Sequence, residues 1–112
     1  MLFMREIVST CLDMLRAGYK AENDPLQPQY DERLWALSRA VQEDGIADYL
    51  YLKHIDGCKA KPVTELTRRE VITYLTYIFR GERFNPGHIA SYIGNGKLQA
   101  LLEQYLRCTE AR

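Results

Sequence analysis

No run of apolar residues in the sequence approaches the roughly 18 that a membrane-crossing helix needs. The first residues, Met1 to Met4, are apolar, but Arg5 and Glu6 follow at once. A secretory leader has the opposite order, with charge first and then about 7–15 apolar residues. The expectation is a cytoplasmic protein with no membrane segment. Cysteine is scarce as well: Cys11, Cys58 and Cys108 form an odd set with no short-range pairing motif. A secreted domain of this size held by disulfides usually carries an even set, so three reduced thiols are expected, with Cys11 in the core. An excess of one charge is missing too, since fifteen Lys+Arg balance fifteen Asp+Glu. That excludes a polybasic coat and a strongly charged disordered tail. There is no internal repeat, no low-complexity tract and no phosphate-binding glycine loop. Gly94-Asn95-Gly96 reads as a helix cap.

What remains is an ordinary globular composition, with 46% apolar and 27% charged residues over 112 positions. A chain of that length forms one domain, residues 1–112, with one modest core and no second lobe to close a cleft. The apolar spacing predicts an all-α fold of about five helices, with a C-terminal core over residues 64–108. From Leu2 to Ala17, apolar residues at Met4, Ile7, Val8, Cys11, Leu12, Met14 and Leu15 make one broad helical stripe. Gly18 stops that helix, and Asn23, Asp24, Pro25 and Pro28 mark a loop over Tyr19 to Gln29. A second helix is expected from Tyr30 to Glu43, with Tyr30, Leu34, Leu37 and Val41 on one face and Gly45 as its cap.

Ile46 to Ile55 is ambiguous. Its aromatic alternation suits a strand, but no partner strand exists, so a short helix is expected, followed by a loop over Asp56 to Pro62. The third strong helix carries a capping box, Thr67 and Glu70, ahead of Val71, Ile72, Leu75, Ile78 and Phe79. It ends at Gly81. Asn85 is expected to cap a fourth helix with Pro86 at its first position and Ile93 near its end. The last helix runs from Lys97 to about Arg107 on Leu98, Leu101, Leu102, Tyr105 and Leu106, and packs against the third.

Neutrality hides a split. Residues 1–57 hold six basic and ten acidic side chains, and residues 58–112 hold nine and five. The balance is therefore −4 in the first half and +4 in the second. On the third helix, Arg69, Thr73, Thr76 and Arg80 are expected on the face opposite the apolar stripe. With Lys61, this basic side suits phosphates or an acidic protein surface. The alternative is that the two halves neutralise each other in the fold.

The stretch from Arg80 to His88 is the most unusual. Arg80, Arg83 and His88 crowd a corner where free amides at the start of the fourth helix would favour an anion. The competing assignment is a scaffold lock: Glu82 paired with Arg80 or Arg83, Phe84 plugging the core, Asn85 capping, and His88 bonded to a carbonyl. The lock is favoured.

Other constellations are weaker. His54 and Cys58, joined by His88 and Cys108, make only one loose ligand pair, so neither a metal nor any cofactor is expected. Nothing in the sequence brings Cys58 beside His88 as a nucleophilic pair. A DNA-reading corner is disfavoured because the helix from Pro86 to Ile93 is short and carries no arginine. Tyr49 and Tyr51 are candidates for a protein-binding patch, and Tyr77 for an exposed position.

Arg80-Gly81-Glu82-Arg83-Phe84, Gly87-His88-Ile89-Ala90, Gly96, Leu98 and Leu101-Leu102 together resemble a known pattern. The run from Leu66 to Leu106 is similar to the core of an uncharacterised bacterial domain family of unknown function. Where that family often has a cysteine and an acidic residue after the phenylalanine, this chain has Asn85-Pro86, which argues against a cysteine acting there. The resemblance brings no established activity. Similar small proteins look like cargo of phages and mobile elements, which implies a host-interaction role. The expectation is a non-enzymatic module that binds a protein or nucleic-acid partner through Arg80, Arg83, His88, Arg69 and Lys61. An inhibitor of a host defence complex such as CRISPR-Cas would fit. The alternative is an enzyme or receptor for a phosphate-bearing small molecule or nucleotide at the Arg80–His88 corner.

Overall fold

The computed structural model describes residues 4–20, 29–43 and 48–110. Among these residues the chain forms six α-helices and one short 3₁₀ turn, with no extended strand. The helices are α1 (Met4–Arg16), α2 (Glu32–Glu43), α3 (Tyr51–Lys59), α4 (Arg68–Gly81), α5 (His88–Gly94) and α6 (Lys97–Glu110). The 3₁₀ turn, Val63–Glu65, leads from α3 into α4. The fold is all-α as expected, with six helices rather than about five. The expected start at Leu2, most of the Tyr19 to Gln29 loop and the Gly45 cap lie outside the described residues.

The apolar stripes meet in one core. Val8, Cys11, Leu12 and Leu15 of α1, Leu34, Leu37 and Val41 of α2, and Leu98, Leu101, Leu102 and Tyr105 of α6 are all buried in it. Burial pushes the Cys11 thiol up to about 12, so it stays a protonated core group. Helix α4 runs through the middle, packed against α2, α3, α5 and α6. As expected, it packs on α6.

Helix α4 corrects one expectation. Every residue from Val71 to Thr76 is buried, including Thr73 and Thr76 on the side assigned to solvent. The helix is covered on both sides because α3 lies against it. The buried hydroxyls are satisfied. Thr76 Oγ1 donates to the Ile72 carbonyl at 2.8 Å, and Thr73 Oγ1 lies 2.7 Å from Asp48 Oδ2.

Helix ends follow local polar chemistry. The Thr67–Glu70 capping box forms as read, with Glu70 N donating to Thr67 Oγ1 and Thr67 N to Glu70 Oε1. Helix α2 begins at Glu32 rather than Tyr30, because the Asp31 carboxylate accepts the Arg33 amide at 2.8 Å and so caps it. Helix α3 begins later than expected and takes in the supposed loop at Asp56–Lys59. Asp48 Oδ1 accepts the Leu50 amide just ahead of it, and Pro62 stands beyond its end.

Asp48 is the tie between α3 and α4. Its buried carboxylate accepts from His54 Nδ1 at 2.7 Å, Thr73 Oγ1 at 2.7 Å and Leu50 N at 2.9 Å. Burial alone would raise its pKa, but the hydrogen bonds from His54, Thr73 and Leu50 overcome this and hold it below the usual carboxylate range. A depressed carboxylate contributes stability above the unfolded value near 4, and that contribution is lost as pH falls through its folded value. Urea midpoints measured between neutral and acid pH should therefore fall more steeply for wild type than for Asp48→Asn. Parallel curves would contradict this account of the tie.

Candidate functional site

The corner between α4 and α5 differs from both sequence-based pictures. Asn85 does not cap α5, and Pro86 is not its first residue. The N-cap is Gly87, with a left-handed φ of 92° that favours glycine. Asn85 is held in the preceding turn, where its amide donates to the Gly81 carbonyl at 2.9 Å. The anion at the start of α5 comes from the chain itself. Glu82 Oε2 accepts the Gly87 amide at 2.9 Å, and Oε1 accepts the Ile89 amide at 2.8 Å. A carboxylate on these amides is what the helix-end donors and dipole favour, and it takes the donors an external anion would use.

Glu82 also reaches across the fold. The Tyr30 hydroxyl donates to Glu82 Oε1 at 2.9 Å and accepts the Ala90 amide at 3.2 Å. Burial and the hydrogen bond to Glu82 push the Tyr30 phenol up, so it stays protonated. Glu82 makes no ion pair with Arg80 or Arg83, which corrects the expected pairing. His88 is buried rather than open to a ligand. Its Nδ1 donates to the Ile78 carbonyl at 2.9 Å, and its ring meets Tyr77 and Tyr92 edge-on with both centroids at 5.1 Å. Ile78 lies in the last turn of α4, where carbonyls lack helical partners, so His88 satisfies one of them.

Phe84 is the clearest reversal. It does not plug the core but is 80% exposed. Tyr49, Leu50 and Leu52 are likewise 64%, 60% and 70% exposed. The Arg80 guanidinium packs on the second of these groups, 5.5 Å from the Tyr49 ring centroid and 5.8 Å from that of Tyr51. Its Nε is enclosed without a hydrogen-bond acceptor. Neither Arg80 nor the exposed Arg83 has a carboxylate partner among the described residues. One ion pair joins the two halves, from Arg16 in the first to Glu103 in the second, at 3.0 Å. Among the described residues no ion pair joins a basic side chain after residue 57 to a carboxylate before it. The Tyr-Leu-Tyr-Leu alternation at 49–52 held a usable signal: a helix start that is apolar on consecutive positions cannot bury all of them. Phe84 gave no such signal.

Lys61 and Arg69 lie elsewhere. They line a groove of about 580 Å³ between α3 and the first half of α4, with Asp48, Lys53 and His54. Tyr77 is half-buried and its hydroxyl accepts Lys59 Nζ at 2.9 Å. The four side chains weighed as metal ligands are engaged separately: His54 with Asp48, His88 with Ile78, and Cys108 with the Leu66 carbonyl, while Cys58 is buried. Among the described residues no three His, Cys, Asp or Glu side chains are placed to share a metal ion. Among the described residues no helix is long and apolar enough to cross a membrane.

A family model described as a family of unknown function, DUF6508, matches residues 27–111. No curated protein and no solved structure matches the chain.

Proposed function

The chain belongs to that family of unknown function, which brings no activity with it, and we propose from the surface geometry that the protein is a small non-enzymatic binding module for a protein partner. The observation that carries this is the exposure of Tyr49, Leu50, Leu52 and Phe84, together with Arg80, which lies over the Tyr49 and Tyr51 rings and which no carboxylate of the described fold engages. Aromatic and arginine side chains are the residues that most often dominate protein interfaces. Large apolar side chains left this exposed suit a surface that a partner covers. Arg80 and Arg83, which pair with no carboxylate of the described fold, ask for carboxylates on that partner, so its surface is apolar at the centre and acidic at the rim. Blocking a host defence complex is one role that such a module serves.

Phe84→Ser and Arg83→Glu test this together. Both side chains are exposed, so the double variant should stay within about 0.5 kcal/mol of wild-type stability. Parallel affinity capture with wild type and variant from the native host should recover a partner that the variant loses. The wild-type complex should weaken as salt rises. A partner retained equally by both proteins would place the contact on another face.

A further inference from the structure

The groove between α3 and α4 shares no lining residue with the Arg80–Phe84 surface and has a different chemistry. It is an open groove of about 580 Å³, within the size range of small-molecule sites. Its wall is built around the Asp48–His54 pair. With Asp48 fixed by three donors, the His54 ring is oriented with Nδ1 on the carboxylate. That leaves Nε2, at the opposite end of the ring, with no hydrogen-bond partner among the described residues. An imidazole anchored through one nitrogen presents the other in a set direction, as a donor when protonated.

The charges around it are unequal in availability. Glu70 is held by Lys61 Nζ at 2.8 Å and by the Thr67 amide at 3.0 Å. Asp48 is saturated by its own donors. Lys53 and Arg69 are exposed and make no ion pair among the described residues. The acids of the groove are therefore spent within the fold, while two cations and the oriented imidazole are not. A flat carboxylate is satisfied by one guanidinium. Donors from Lys53, His54 and Arg69 suit a tetrahedral group that carries close to two negative charges near neutral pH.

We infer that this groove binds a phosphate monoester, with Arg69 and Lys53 supplying charge and His54, in its imidazolium form with Nδ1 on Asp48, a directed Nε2 donor. The organic body of the ligand lies along the rest of the groove. Asp48 acts as a positioning residue, through His54.

Adenosine monophosphate is a suitable probe for the full chain, with adenosine and a short single-stranded oligonucleotide lacking a terminal phosphate as controls. At about ten times its Kd, the monophosphate should raise Tm by roughly 5 °C. It should also shift the His54 ring resonances in NMR spectra. Adenosine should do neither. Lys53→Ala/Arg69→Ala alters only exposed side chains and should fold like wild type, yet bind at least tenfold more weakly. Asp48→Asn, compared at matched folded fraction, should weaken binding and abolish the directed His54 shift. Four results would overturn the assignment: adenosine equalling its monophosphate, the oligonucleotide equalling it, undiminished binding by the double variant, or a silent His54 ring.

Discussion

Glu82→Ala should lower the unfolding free energy by about 3 kcal/mol, read as a shift of the urea midpoint at constant slope. One side chain here joins three parts of the fold: the C-terminal end of α4, the first amides of α5, and Tyr30 ahead of α2. Hydrogen bonds to a charged group are worth about 1.5–3 kcal/mol each, but bonds sharing one carboxylate do not add in full. Alanine leaves two amides and a phenol without their acceptor at a half-buried position, where water replaces them only in part. The smaller substitutions grade the effect. Tyr30→Phe removes one donor and should cost about 1 kcal/mol. Glu82→Gln keeps one accepting oxygen and should fall between the two. Arg83→Ala should be nearly silent, because Arg83 is exposed and pairs with no carboxylate of the described fold. An unchanged midpoint in Glu82→Ala would show that α5 is held by its apolar face alone.

Gly81→Ala should also destabilise, by about 1–3 kcal/mol, against the usual trend. Within a helix, alanine normally gains up to about 1 kcal/mol over glycine. Here a Cβ would overlap the His88 ring, meeting Nδ1 and Cε1 and lying 2.9 Å from Cγ. His88 cannot swing away without cost. It is buried, bonded to the Ile78 carbonyl and flanked by Tyr77 and Tyr92. Gly81 is therefore set by a close approach rather than by its backbone angle. The check is a double-mutant cycle. In a His88→Ala background the same Gly81→Ala change should be neutral or stabilising, because the obstructing ring is gone. A Gly81→Ala protein as stable as wild type would show that the ring repacks freely.

Much of the helical frame was legible because its causes are local. The Thr67–Glu70 box needs only residues three positions apart, and both of its bonds form. The stripes of α1 and α6 follow from a period that backbone geometry imposes, so Val8, Cys11, Leu98 and Leu102 could be placed in the core from spacing alone. The start of α5 was misplaced for a related reason. Asn85-Pro86 has good local capping chemistry, yet Glu82 supplies the acceptor from the neighbouring helix end and moves the boundary to Gly87.

The candidate sites were less legible. Arg69, Lys61, Arg80 and Arg83 were marked by charge, but charge along a chain does not say which cations the fold will neutralise. Glu70 engages Lys61 but leaves Arg69 available, and Arg80 rests on two tyrosine rings. Thr73 had the periodicity of an exposed residue and was buried by α3. Phe84 had the character of a core residue and was left outside by the turn that follows α4. The sequence by itself determined the all-α class, the stripes and the helix ends whose partners lie within one turn. The tertiary structure decided which polar groups found partners, as in the Tyr30–Glu82 and Asp48–Thr73 bonds. Contacts within a turn are fixed by backbone geometry, whereas contacts between distant segments depend on how whole helices pack.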